Sequence, residues 1–135
     1  MQYPKELLRN IYWSFNYGPV ENRQKFEEAV KTYHYKVSGQ EFPFDLNEEI
    51  LPFAKVVIQY MKYDEEEEDW DEPQILLEAE NGKSFTAGEL LYKIHQTAGK
   101  ALEGDDNVYF EGISFATDQD PDFPGIPVYF LDTGT

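Results

Sequence analysis

AKVVIQYMKYDEEEEDWDEPQILLEAENG, residues 54–82, contains two strand-like runs held apart by a block of negative charge. Ala54, Val56, Ile58 and Tyr60 alternate with Lys55, Val57, Gln59 and Met61, and the run is rich in β-branched residues. Ile75, Leu77 and Ala79 alternate in the same way with Leu76, Glu78 and Glu80, then meet the turn signal Asn81-Gly82. Successive strand side chains point to opposite faces, so the pattern predicts two half-buried strands. Between them, eight of the nine positions from Asp64 to Glu72 are carboxylates, and the ninth is Trp70.

Downstream, Thr86-Ala87-Gly88-Glu89 has the form of a capping box, in which the threonine oxygen accepts from the third helical N–H and the glutamate reaches back. The helix predicted there buries Leu90, Leu91, Ile94, Ala98 and Leu102, pairs Glu89 with Lys93 on its outside, and stops at Gly104. A third strand is expected over 108–115 and a fourth over 128–131, joined by the Asp/Pro/Gly-rich stretch 116–125. Pro127 places the start of the fourth strand at an edge or outside the ladder, because proline has no N–H to donate.

Upstream, Leu7, Leu8, Ile11, Tyr12 and Phe15 fit one helical face behind Pro4, up to a break at Tyr17-Gly18-Pro19. Phe26, Ala29, Val30, Tyr33 and Val37 fit a second stripe, with Glu27 and Lys31 four apart, ending at Gly39. Asp45-Leu46-Asn47-Glu48 has the form of one capped helical turn.

The resulting fold class is α+β: a single domain over 1–135 with an antiparallel four-stranded sheet and three helices on one face, in the order ααββαββ. A helical hairpin occupies 1–39, and a ββαββ region over 53–132 carries the acidic loop 64–73. A chain of 135 residues suits one core, and 41% apolar with 16% aromatic content is a folding composition despite the charge.

Net charge is −16, and it is regional: +2 over 1–40, −10 over 41–100 and −8 over 101–135. Such a surface repels phosphates and anionic lipid, so neither direct nucleic-acid binding nor membrane association is expected. The start Met1-Gln2-Tyr3-Pro4-Lys5 does not read as a signal peptide, and no apolar run approaches the roughly 20 residues that span a bilayer. The absence of cysteine excludes disulfides and thiolate metal sites, and the expected location is cytoplasmic.

No residues assemble into a catalytic motif, and no cofactor or metal is expected. Asp118, Asp120 and Asp122 alternate like the opening of a calcium loop, but Phe123 stands where glycine is needed and Tyr129 where glutamate is needed. His34 and His95 lack a second histidine at ligand spacing, and both read as structural. Ser14, Ser38, Ser84 and Ser114 lie outside any nucleophile elbow, and Glu78, Glu80 and Glu111 are the least implausible carboxylates for acid/base work.

The partner-binding residues expected from sequence are Glu66, Glu67, Glu68, Asp69, Trp70 and Asp71, with Asp118, Asp120, Asp122 and Phe123. An aromatic ring inside a charged rim is the composition of a binding hot spot. The leading expectation is a non-catalytic acidic binding protein that occludes a basic protein partner, as an immunity-type inhibitor of a toxin or nuclease would. A DNA-mimic inhibitor of a nucleic-acid-binding protein and a small carboxylate-dependent enzyme are the alternatives, and a homodimer with an aromatic contact is a further one.

Overall fold

The computed structural model describes residues 2–135. Its main sheet has five strands: β1 (Glu6–Leu7), β3 (Lys55–Gln59), β6 (Gln74–Glu78), β8 (Tyr109–Thr117) and β9 (Val128–Gly134), in the order β1-β8-β9-β3-β6. Two small ladders stand apart from it: β2 (Glu49–Leu51) with β7 (Phe85–Thr86), and β4 (Lys62–Asp64) with β5 (Asp69–Asp71). The helices are α1 (Arg23–Ser38) and a second rod made of α2 (Ala87–Ile94), a π-helical turn (His95–Gly99) and α3 (Lys100–Leu102).

The α+β class holds, while strand number, strand direction and helix number all differ from expectation. The sheet is mixed rather than antiparallel, because β9 runs parallel to β3 with Ile58 beside Tyr129. β9 is also the central strand, so Pro127 sits just outside the ladder, where its carbonyl accepts from Val57 N–H at 3.0 Å. The edge position that proline also permits is not the one adopted.

The first expected helix is absent, and with it the helical hairpin over 1–39. Ile11, Trp13 and Phe15 are buried while Tyr12 is exposed, an alternation among the large side chains, with the small Ser14 also buried, that the helical stripe through the same stretch conceals. The unpaired edge of β8 decides between the two, because its backbone polar groups need partners. β1 pairs Glu6 with Ser114 and Leu7 with Ile113, and farther along Phe110 N–H donates to Trp13 O at 2.9 Å and Phe15 N–H to Val108 O at 2.8 Å. Residues 5–15 therefore form a strap along β8, extended except where Leu8 (φ 59°) and Asn10 (φ 66°) turn left-handed and where a 3₁₀ turn (Phe15–Tyr17) begins.

The other two helices keep their expected places. Asn22 caps α1 by accepting from Lys25 N–H at 2.9 Å, and Gly39 closes it in the left-handed conformation. Phe26 and Val30 are buried as expected, but His34 is buried and Val37 exposed, and Glu27 meets Arg23 rather than Lys31. Thr86 Oγ1 accepts from Glu89 N–H at 3.1 Å, which is half of the expected capping box. The Glu89 carboxylate turns instead to Glu80 N–H and Lys93, and it is buried rather than external. At 45–48 there is only a turn, closed by Asp45 O accepting from Glu48 N–H.

One face of the sheet shares the hydrophobic core with the helices. Val56, Ile58, Leu77, Ile113, Tyr129 and Leu131 meet Phe26, Val30, Leu90, Leu91, Ile94 and Leu102 in a single cluster. By strand alternation the opposite, helix-free face carries Gln59, Gln74, Ser114, Phe130 and Asp132. A bulge at Glu111, with Gly112 at φ 117°, changes the phase of β8 so that Phe110 enters the core while Tyr109 and Glu111 face outward. Among the described residues no helix is long and apolar enough to cross a membrane.

Candidate functional site

The acidic run is an ordered β-ribbon rather than an open loop. Its ladder pairs Lys62 with Asp71, Tyr63 with Trp70 and Asp64 with Asp69. The first is an opposite-charge pair and the second an edge-to-face aromatic contact with ring centroids 5.3 Å apart, both of which favour pairing. Asp64 against Asp69 places like charges across the ladder and opposes it. The tip compensates locally, since Asp64 Oδ1 accepts from Glu66 N–H at 3.0 Å and Glu67 N–H at 3.3 Å, with Glu68 left-handed at φ 52°. Lys62 ties the base to the helical rod by donating to Ala101 O at 2.7 Å and pairing with Asp105 at 3.3 Å.

Trp70 stays in solvent, 47% exposed, with Met61 and Tyr63 beside it also exposed. It stands between two shallow hollows. One, of about 320 Å³, includes Tyr63, Glu65, Asp105 and Asp106; the other, of about 360 Å³, includes Glu111, Phe130 and Asp132; Met61 and Asn107 line both. The indole is thus a projecting apolar surface bordered by carboxylates on two sides.

Asp118, Asp120, Asp122 and Phe123 lie on the β8–β9 connector, and polar side chains link this segment to the base of the ribbon. Gln59 Nε2 donates to Glu72 at 3.1 Å, Gln74 Nε2 donates to Gln59 Oε1 at 3.0 Å, and the same amide nitrogen donates to Asp120 Oδ2 at 2.7 Å. These bonds hold the Asp120 carboxyl below its ordinary range, the Gln74 bond contributing most and the backbone N–H of Asp122 less. Phe123 is half-buried, whereas Asp122 is exposed. The two acidic segments are therefore neighbours across Gln59 and Gln74, an arrangement that only the pairing of β3 with β6 creates.

Eight ion pairs form among the described residues, and none uses a carboxylate from 64–72 or 118–122. Six of the eleven lysines and arginines (Arg9, Arg23, Lys25, Lys55, Lys62 and Lys93) are paired with other carboxylates. Arg9 illustrates this: it donates to Glu111 O at 2.7 Å and to Asp132 at 2.6 Å, and Ser114 Oγ joins the same aspartate at 2.7 Å. Its guanidinium packs over Gly112, where a Cβ would lie 2.8 Å from Arg9 Cδ.

Sequence reasoning did not single out a third concavity. The strap, the end of α1 and the outward face of β8 enclose a groove of about 940 Å³ lined by Tyr12, Tyr33, His34, Glu41, Tyr109 and Glu111 among others. Tyr12 and Tyr109 are exposed there, and no local sequence pattern marks the groove. His34 Nδ1 accepts from Tyr12 N–H at 3.0 Å, so the neutral ring carries its proton on Nε2 and presents a donor. His95 is fixed at both ends: Nδ1 accepts from Trp13 Nε1–H at 3.2 Å and Nε2 donates to Gly18 O at 2.7 Å. Burial pushes its pKa down, against smaller opposing effects of Gly18 and Glu103. With both ring nitrogens occupied, His95 is a structural residue.

No family model, no curated protein and no solved structure matches the chain.

Proposed function

We propose that this protein is an acidic binding protein whose β4–β5 ribbon docks a basic protein partner, with Trp70 as the apolar anchor. The observation that carries the reading is a mismatch of supply. Among the described residues the carboxylates of 64–72 and 118–122 form no ion pair; Asp71 has Lys62 across the ladder, and another ribbon pair sets Asp64 against Asp69. Like charges kept together and left uncompensated on a fixed frame are stabilised when a cation arrives. A half-exposed indole at their centre then contributes contact area that slows release.

The ribbon's dimensions separate this reading from DNA mimicry. Strands of three residues at about 3.4 Å per residue extend only on the order of 10 Å, one ribbon's width of contact rather than a length of duplex. Occlusion of a compact basic surface, as by an inhibitor of a toxin or nuclease, is the better fit.

Affinity capture from the native cell with wild-type protein, Trp70→Ala and a Glu66/Glu67/Glu68→Gln triple variant tests the proposal. A basic protein is expected on the wild type at low salt, released progressively as ionic strength rises, and weakened on the triple variant. Trp70→Ala is expected to lose at least about 2 kcal/mol of binding, the size of a hot-spot truncation. Retention indifferent to salt and to both variants defeats it.

A further inference from the structure

We infer that the groove at His34 is a second contact region for the same basic partner and holds an extended arginine- or lysine-bearing segment of it. The inference rests on the docking proposal above and extends it to a different part of the surface. At about 940 Å³ the groove lies near the top of the range of roughly 300–1,000 Å³ found for ligand pockets, large enough for several side chains.

Its chemistry selects the occupant. Tyr12 and Tyr109 present rings that are 52% and 47% exposed, and cations stack favourably on such faces. Glu41 and Glu111 supply carboxylates that make no ion pair among the described residues. Among the described residues Arg9 is the one permanent cation lining the groove, and its two terminal nitrogens are already bound to Glu111 O and Asp132.

His34 adds the polar direction. The residue is 4% exposed, its Nδ1 is taken by Tyr12 N–H, and its Nε2 has no protein partner among the described residues. This open ring N–H can donate to a peptide carbonyl while the neighbouring side chain places its cation against tyrosine and glutamate. Glu111 also lines the hollow beside Trp70, so one chain can run from the ribbon across the outward face of β8 into the groove.

Titration of the intact protein with acetyl-tetra-arginine amide, followed by ¹H–¹⁵N spectra at about 0.15 M salt, where exposed charges are screened beyond roughly 8 Å, reads the groove directly. Saturable shifts are expected at the His34 Nε2–H signal and at the Tyr12 and Tyr109 amides. Tyr109→Ala and Glu111→Gln are each expected to weaken the apparent affinity about tenfold. Groove signals that stay still at saturating peptide overturn the inference, and the Trp70 indole signal then distinguishes its failure from that of the wider reading. If that indole moves, docking on the ribbon survives alone; if it too is silent, both fall. Shifts spread evenly over the surface, with no saturation, overturn the inference as well.

Discussion

Two tryptophans in one chain have opposite surroundings. Trp13 is 1% exposed, its Nε1–H donates to His95, and its ring is packed by Tyr17, Phe26, Tyr33 and His95. Trp70 is 47% exposed, meets Tyr63, and has no protein acceptor for its Nε1–H among the described residues. The strap around Trp13 satisfies that indole inside the fold: backbone groups pair with β8 and the indole N–H donates to a neutral histidine. The ribbon around Trp70 leaves both apolar area and charge unresolved. One indole serves the interior of the domain; under the proposed function the other meets a partner.

The strongest test of that contrast is to truncate each ring. Trp13→Ala is expected to cost about 3–5 kcal/mol in chemical denaturation, whereas Trp70→Ala should stay within about 0.5 kcal/mol. An equal loss at Trp70 would make it a structural anchor and dissolve the comparison.

Gly99→Ala probes how tightly the strap is held. A Cβ there would lie 2.5 Å from Phe15 Cδ1, and overpacking of this kind costs about 1–3 kcal/mol. A neutral result would show that Phe15 yields, so that the strap is looser than its packing implies.

Next in expected size is the pH response of the Trp13–His95 contact. The His95 pKa is lower in the fold than in the unfolded chain, because burial disfavours the charged ring. The unfolded chain therefore takes up the proton first, near an ordinary histidine value of about 6.5. The contribution of neutral His95 is complete above that pH and is lost as pH falls toward and through the folded value. The stability difference between wild type and His95→Gln should shrink over that interval, as read by denaturation midpoints; a constant difference would mean that the ring does not titrate differently in the fold. Trp70 fluorescence should not follow this transition.

The smallest effects belong to the ribbon and carry the opposite sign. Glu68→Gly relieves a left-handed glutamate and should stabilise by up to about 1 kcal/mol. Asp69→Asn removes the like-charge pairing with Asp64 and should add about 0.2–1 kcal/mol. Loss of stability in both variants would show that the ribbon is optimised for the fold, and the case for an external partner would weaken accordingly.

Legibility from sequence followed the range of the interactions. Phe26 and Val30 of the second stripe and its stop at Gly39, the Thr86 cap and the buried row Leu90, Leu91, Ile94, Ala98 and Leu102 are set by contacts within a turn or two of helix, and they were readable. The segment 5–15 was not, because Leu7, Leu8, Ile11 and Phe15 satisfy a helical period while Ile11, Trp13 and Phe15 satisfy a strand period. The choice between these patterns rests with a strand about a hundred positions away. Of the candidate site, the carboxylates and Trp70 were evident in the chain, whereas their adjacency to Asp120 through Gln59 and Gln74 arises only from strand register. The groove at His34 had no local signature.

Composition and spacing alone determined that this chain is strongly acidic, that it mixes helix with sheet, where one helical segment stops and where another begins and ends. Those properties depend on charge count and on neighbours three or four residues apart. The tertiary structure alone decided that the first segment is a strap, that β9 lies at the centre of a mixed sheet, and that one tryptophan is enclosed while the other is presented. Such outcomes depend on which unpaired backbone edge and which apolar surface lie within reach once the chain has collapsed, and no local window of sequence contains that information.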